Sequence, residues 1–232
     1  MKLAIMQPYF LPYIGYFQLI ASVDVFIVYD NIKYTKKGWI NRNRMLTNGS
    51  DAFFSIPLKK GSDSLHVVQR ELSNEFDRKK LLNHFKEAYR RAPYFFETFP
   101  LLERIVYFQD DNLFRYIYNS IVEICFHLGI NTDIRTSSAI AIDNNLKNQN
   151  KVIALCNATG ANTYVNAIGG VELYTKEDFR AQDIEIQFLK SKSFEYPQLG
   201  ASFIPWLSII DVLMFNPLDT VRECIDTNYE II

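Results

Sequence analysis

The apolar pattern changes period several times along the chain, and each change marks an element. Leu3-Ala-Ile-Met6 is a short apolar run of buried-strand length. Pro8 and Pro12 then exclude both a longer strand and an early helix. From Ile14 the spacing turns helical: Ile14, Phe17, Leu19 and Ile20 share a face, and Gly15 falls in the first turn. Val25-Phe-Ile-Val-Tyr29 is apolar at nearly every position, as a strand covered on both faces must be, and Asp30-Asn31 ends it. Two such strands around one helix form a βαβ unit, which requires a parallel sheet.

Beyond this unit, residues 40–47 alternate apolar and polar. Asn48-Gly49 is a hairpin signal and Ala52 to Leu58 the returning strand. Asn41 and Asn43 then share one face of the hairpin, with Arg42 and Arg44 on the other. Leu65-His-Val-Val68 reads as a short strand. Three helices follow, from Ser73 as cap to about Arg91, over 94–108, and over 111–128 with Gly129 as the stop. The α/β pattern resumes with strands at 132–136, 162–166 and 184–188 and a helix at 147–158. A buried helix spans Phe203 to Phe215 and a closing helix 217–232. The chain therefore reads as one α/β domain over 1–232, with a mainly helical insert at about 73–129.

Composition narrows the class. Apolar residues are 48% and charged residues 22%, as in globular proteins, and the net charge of −1 gives no bulk attraction to nucleic acid or to a membrane. The 18 Phe and 14 Tyr form either a bulky core or the walls of an aromatic cleft. Cys125, Cys156 and Cys224 are far apart and form no CxxC, as expected of buried thiols in a reducing cytoplasm. No signal peptide or transmembrane run is evident, so a cytoplasmic protein is expected, one able to work beside a membrane. The three histidines, His66, His84 and His127, are too scattered for a zinc site, and no GxSxG, Walker A or GxGxxG segment occurs.

In a parallel sheet ligands dock outside the carboxyl ends of the strands. The candidates there are Gln7 to Gly15, Asp30 to Arg44, Ser137-Ser138, and Asn166 to Gly170. Gly15 lets a ligand or a neighbouring backbone come close to the helix start. Arg42 and Arg44 offer planar forks for phosphate or carboxylate, with Lys33, Lys36 and Lys37 beside them; the alternative is a solvated hairpin edge. Trp39 is a stacking platform. Asp30, at a strand end, is placed as a metal ligand, a ribose-hydroxyl acceptor or a general base, or else as the cap of an Asx turn. Asp211 lies in an apolar helix, where it needs a buried donor, an arginine or a backbone group.

Met6-Gln-Pro-Tyr-Phe-Leu-Pro-Tyr-Ile-Gly-Tyr-Phe-Gln-Leu-Ile20, Asp24-Val-Phe…Tyr29-Asp30, Trp39-Ile-Asn-Arg-Asn-Arg44, Thr163-Tyr-Val-Asn…Gly169-Gly170 and Phe203…Leu207-Ser-Ile-Ile-Asp211 together resemble the WbqC-like family over nearly the whole chain. One departure is Asn166, where many members have serine. The resemblance implies a place in bacterial surface-polysaccharide (O-antigen, lipopolysaccharide) biosynthesis, with glycine or another aminoacyl group transferred to a nucleotide-linked amino sugar. The candidate substrate-binding residues are Gln7, Gly15, Lys33, Trp39, Asn41, Arg42, Arg44, Ser138, Tyr164, Asn166, Gly169, Gly170 and Gln198. A remoter likeness places Tyr13-Ile-Gly-Tyr16 like the HxGH signature of nucleotidylyl transferases and pantothenate synthetase, which hold ATP phosphates at this helix start. It implies a Rossmann-like, nucleotidylyl-transferase-like sheet. It also makes Tyr13 and Tyr16 catalytic beside Asp30, with ATP and magnesium as candidate cofactors, although both histidine positions are tyrosine here. The partners implied are a nucleotide sugar and an aminoacyl donor, which would be an adenylate, a charged tRNA or a thioester. A homodimer through the insert's aromatic surface is a further alternative. A non-catalytic nucleotide- or nucleotide-sugar-binding accessory protein is the competing reading.

Overall fold

The computed structural model describes every residue except 144 and 201. Its centre is a six-stranded sheet in the order β5-β2-β1-β6-β7-β8. The strands are β1 (Lys2–Met6), β2 (Val25–Val28), β5 (Asp133–Thr136), β6 (Thr163–Ala167), β7 (Glu185–Ser191) and β8 (Tyr229–Ile231). All neighbours are parallel except β7 and β8. A separate antiparallel hairpin, β3 (Arg42–Thr47) and β4 (Ser50–Ser55), turns at Asn48-Gly49, both with positive φ. Positive φ at both central residues matches the right-handed twist of the paired strands.

The period of two explains why both faces of the central sheet are apolar. Leu3, Ile5, Val25 and Ile27 point to one side, where α5 (Asn148–Thr159) and Phe179 of α6 (Lys176–Arg180) cover them. Ala4, Phe26 and Val28 point to the other. There α1 (Ile14–Ala21), α2 (Arg78–Tyr89), α3 (Phe95–Val106), α4 (Leu113–Leu128), α7 (Ile209–Phe215) and α8 (Leu218–Thr227) share one hydrophobic core with the inner face of the hairpin. The chain leaves β1 towards β2 on one side of the sheet and reaches β6 on the other. The order thus reverses between β1 and β6, the position where open α/β sheets form a crevice.

Four expectations need correction. Residues 217–232 are not one helix: α8 ends at Thr227, and Tyr229–Ile231 adds an antiparallel edge to β7. The Asn228 side-chain amide donates to the Lys192 and Ser193 carbonyls and turns the chain there. The apolar stretch from Phe203 is helical only from Ile209, because Trp206 is left-handed (φ 58°) and Ser208 caps α7. Leu65–Val68 is no strand: Val67 and Val68 donate to the Ile32 and Asp30 carbonyls, and Val67–Gln69 form a 3-10 turn. The cap of α2 is Asp77, whose carboxylate accepts from Lys80 N at 2.9 Å, rather than Ser73.

Candidate functional site

A cleft of about 480 Å³ opens at the carboxyl ends of β1 and β7, beside the hairpin and the end of β6. That volume lies in the range of small-molecule sites. Three walls meet there. The loop after β1 supplies Tyr9, Pro12 and Tyr13, the hairpin supplies Trp39, Asn43 and Arg44, and the far wall carries Ile168, Lys190, Ser191 and Trp206. The chain has two tryptophans, and both border this cleft.

The loop after β1 is held by side chains from distant elements. Leu11 is buried with φ 48°, a conformation that costs a non-glycine residue roughly 1–2 kcal/mol. Its carbonyl accepts from Asn43 Nδ2 at 3.0 Å and from Ser208 Oγ at 2.6 Å. Each buried bond returns about 1 kcal/mol, enough to fix the turn and with it the position of Tyr13. Tyr13 is the N-cap of α1, and its ring meets Trp206 edge-on at 6.0 Å. Burial holds its phenol above the ordinary value, with the Ser191 hydroxyl pulling more weakly the other way, so at neutral pH it is a neutral hydrogen-bond donor. Gly15 has a definite reason. A Cβ there would collide with the Tyr13 ring and with Ser191 Oγ, so the space foreseen for a ligand is filled by the site's own side chains.

Tyr16 does not reach the cleft. It is buried against Tyr9, Phe17 and Phe26, its hydroxyl donates to the Gln7 carbonyl at 2.9 Å, and burial raises its pKa strongly. The α1 start therefore does not fit an ATP triphosphate in the manner of an HxGH segment. One of the two tyrosines is engaged in the core, and the glycine between them is covered. Among the described residues no three His, Cys, Asp or Glu side chains gather as a metal site.

On the hairpin, Arg44 lines the cleft, pairs with Asp51 at 3.0 Å and reaches the Trp206 carbonyl at 3.4 Å. Arg42 is differently placed. Its Nε donates to the Gly38 carbonyl at 2.9 Å, another nitrogen to that of Lys37, and its plane lies over Phe53 at 4.9 Å. Trp39 stacks on Phe53 at 6.0 Å. Asn41 braces the hairpin through Tyr34 Oη and the Ile56 carbonyl, and Lys33 is exposed beside His66.

Asp30 forms a second polar centre, at the ends of β2 and β5, and is not among the cleft-lining residues. One of its oxygens accepts from Ser137 Oγ at 2.7 Å and Ser138 N at 2.9 Å, and the other from Ser138 Oγ. Asn31 joins through Ser137 Oγ and through Lys151 Nζ at 2.7 Å. Lys151 lies over the Tyr29 ring, and burial depresses its pKa while Asp30 partly restores it. Sequence reasoning missed Lys151, which looks like an ordinary polar position of an amphipathic helix.

The remaining candidates lie apart from the cleft lining. Tyr164 is core on the opposite sheet face, with its hydroxyl 3.2 Å from that of Tyr174. Asn166 is buried at the end of β6 and accepts from Ala167 N; Gly170 leaves room for its amide, since a Cβ would collide with it, and Gly169 faces open space. Gln198 clamps its own loop through Ile204 and donates to Asp211 at 2.6 Å. Asp211 also accepts from Tyr89 and Tyr196, so its buried donors are two phenols and an amide, not the expected arginine or backbone group.

The profile of the WbqC-like protein family matches residues 7–223. An uncharacterized protein of Mycobacterium tuberculosis (strain ATCC 25618 / H37Rv) is 30% identical over 224 residues, 93% of each chain. No solved structure matches the chain.

Proposed function

The chain belongs to the WbqC-like protein family, and from that premise we propose that its cleft binds a nucleotide-linked amino sugar of a bacterial surface-polysaccharide pathway. The observation that carries this reading is the make-up of the cleft. Tyr9, Tyr13, Trp39 and Trp206 offer flat apolar faces for a base and a sugar ring, and Arg44, which a diphosphate would share with Asp51, offers charge; Lys190 is held by Glu230 at 3.1 Å. The Tyr13 phenol, kept protonated by burial, donates to a phosphate or sugar oxygen. The sheet order, with its crevice between β1 and β6, supports a Rossmann-like nucleotide fold. In the fuller form of the proposal, the bound sugar's amine attacks an activated glycyl or other aminoacyl carbonyl. An amide forms and the activating group leaves.

A second reading, non-catalytic binding in support of a partner enzyme, is favoured by one specific observation. Tyr16 and Asp30, the tyrosine and carboxylate foreseen as catalytic, already carry internal hydrogen bonds. A thermal-shift panel of UDP- and dTDP-linked amino sugars, followed by mass spectrometry of the sugar after incubation with glycine donors, separates the two. A rise in melting temperature with a glycylated product supports transfer, a rise without product supports binding alone, and no rise at millimolar ligand refutes both.

A further inference from the structure

Trp206 stands on a strained span between two clamps. Its φ of 58° is left-handed, a conformation that a bulky side chain resists. On one side Ile204 is held by Gln198, whose Oε1 accepts from Ile204 N at 2.8 Å and whose Nε2 donates to the Ile204 carbonyl at 3.2 Å. On the other, Ser208 N donates to the Arg44 carbonyl at 2.9 Å and Ser208 Oγ to that of Leu11 at 2.6 Å, and Leu207 is buried. Among the described residues the Trp206 backbone has a single hydrogen-bond partner, Arg44, whose Nη2 donates to its carbonyl at 3.4 Å.

The indole has room to move. It is 47% exposed, borders the cleft, and on its other side meets a cavity of about 20 Å³ shared with Phe194, Tyr196 and Phe203. Such a void holds about one water, so this flank is not close-packed. The contact with Tyr13 is edge-on, at 6.0 Å. One long hydrogen bond returns no more than the left-handed backbone costs, so the two arrangements of the span lie close in free energy. Arg44 decides between them. Its Nη1 is held by Asp51 at 3.0 Å, and its side chain lines the cleft. A phosphate or other oxyanion binds a guanidinium more strongly than a neutral carbonyl does, so a ligand on Arg44 takes Nη2 away from Trp206.

We propose that Trp206 is a gate on the cleft, held where it stands by Arg44 and released towards the ligand when an oxyanion takes that arginine. The proposal rests on the sugar-binding reading for its anion, whereas the latch is testable with no ligand. Trp39→Phe leaves Trp206 as the one tryptophan of the chain. In that background, adding Arg44→Met or Arg44→Lys should raise acrylamide quenching of Trp206 about twofold without ligand, since neither side chain keeps the planar fork that bridges Asp51 and the Trp206 carbonyl. Asp51→Asn breaks the hairpin ion pair but keeps the Trp206 bond, and should leave quenching unchanged. Inorganic pyrophosphate should give a saturable rise in the Trp39→Phe protein and none in Trp39→Phe with Arg44→Met. Unchanged quenching in the Arg44 variants, an equal rise with Asp51→Asn, or silence towards pyrophosphate would overturn the gate. A nucleotide sugar that raises the melting temperature but leaves Trp206 quenching unmoved overturns the gate and leaves the sugar-binding reading standing. A response to pyrophosphate with none to nucleotide sugars supports the gate and refutes that reading.

Discussion

Asp211 is the place where the structure makes its most quantitative demand. The carboxylate is buried and has no cation partner among the described residues, yet it accepts from Tyr89 at 3.0 Å, Tyr196 at 2.7 Å and Gln198 at 2.6 Å. Tyr89 Oη in turn accepts from Leu46 N of β3, so one carboxylate ties together the hairpin, α2, α7 and the loop that carries Trp206. Asp211→Ala strands three donors. At about 1–3 kcal/mol each, less what the removed charge had cost to bury, the net loss is about 3–5 kcal/mol. For a chain of this size that lowers the melting temperature by about 10 °C. The pH dependence provides an independent check. Burial lifts the folded-state carboxyl above its ordinary 3.8. Such a group keeps its proton longer when folded, so its stabilising contribution is complete below the unfolded value. That contribution is lost as pH rises from the unfolded pKa through the folded one. Asp211→Asn has no such proton, and its amide turns a donor towards Tyr196 and Gln198. Urea unfolding of wild type and variant across that window should show the stability difference changing with pH, wild type losing relative to variant as pH rises. A loss under about 1 kcal/mol for Asp211→Ala, or a pH-independent difference for Asp211→Asn, would refute the network as drawn.

Two further outcomes follow from local geometry. Gly15→Ala would gain about 1 kcal/mol of helix propensity but must displace the Tyr13 ring or Ser191; a net destabilisation of about 1–3 kcal/mol by thermal unfolding, with weakened ligand binding, is expected, whereas Gly169→Ala, facing open space, should be near neutral. Burial pushes the Cys125 and Cys156 thiols up to about 12 and Cys224 to about 11, so a chromogenic thiol reagent at pH 8 should label native protein very slowly and all three sites in denaturant; rapid native labelling of any of them would contradict the packing.

Much of this was legible in the sequence where one physical signal dominated. β1, α1 and β2 carried period changes and prolines, the hairpin an Asn48-Gly49 turn, and α4 and α5 a glycine stop. The errors arose where tertiary context decided. β8 is three residues long and exists because β7 offers an edge, a condition its own composition does not encode. The apolar density of 203–208 comes from a loop covering the core rather than from a helix. Of the residues that line the cleft, Arg44, Trp39 and Tyr13 were visible as residue types at strand ends. The inward turn of Tyr16, the burial of Lys151 and the internal engagement of Gln198 were not, because helical period does not say which polar group finds an internal partner. Trp206 carried no motif beyond its resemblance segment, and its left-handed backbone is apparent only in three dimensions.

The central claim, that the cleft between the β1 loop, the hairpin and β7 binds a nucleotide-linked sugar, is tested most directly by intrinsic fluorescence. Both tryptophans of the chain border the cleft, so their emission reports its occupancy without a label. Titration with UDP- and dTDP-linked amino sugars should give a saturable change. Arg44→Ala should weaken it about tenfold or more, as loss of a charge-assisted contact worth roughly 1.5–3 kcal/mol requires. An emission spectrum unmoved by millimolar ligand, or an Arg44→Ala titration identical to wild type, would contradict the account.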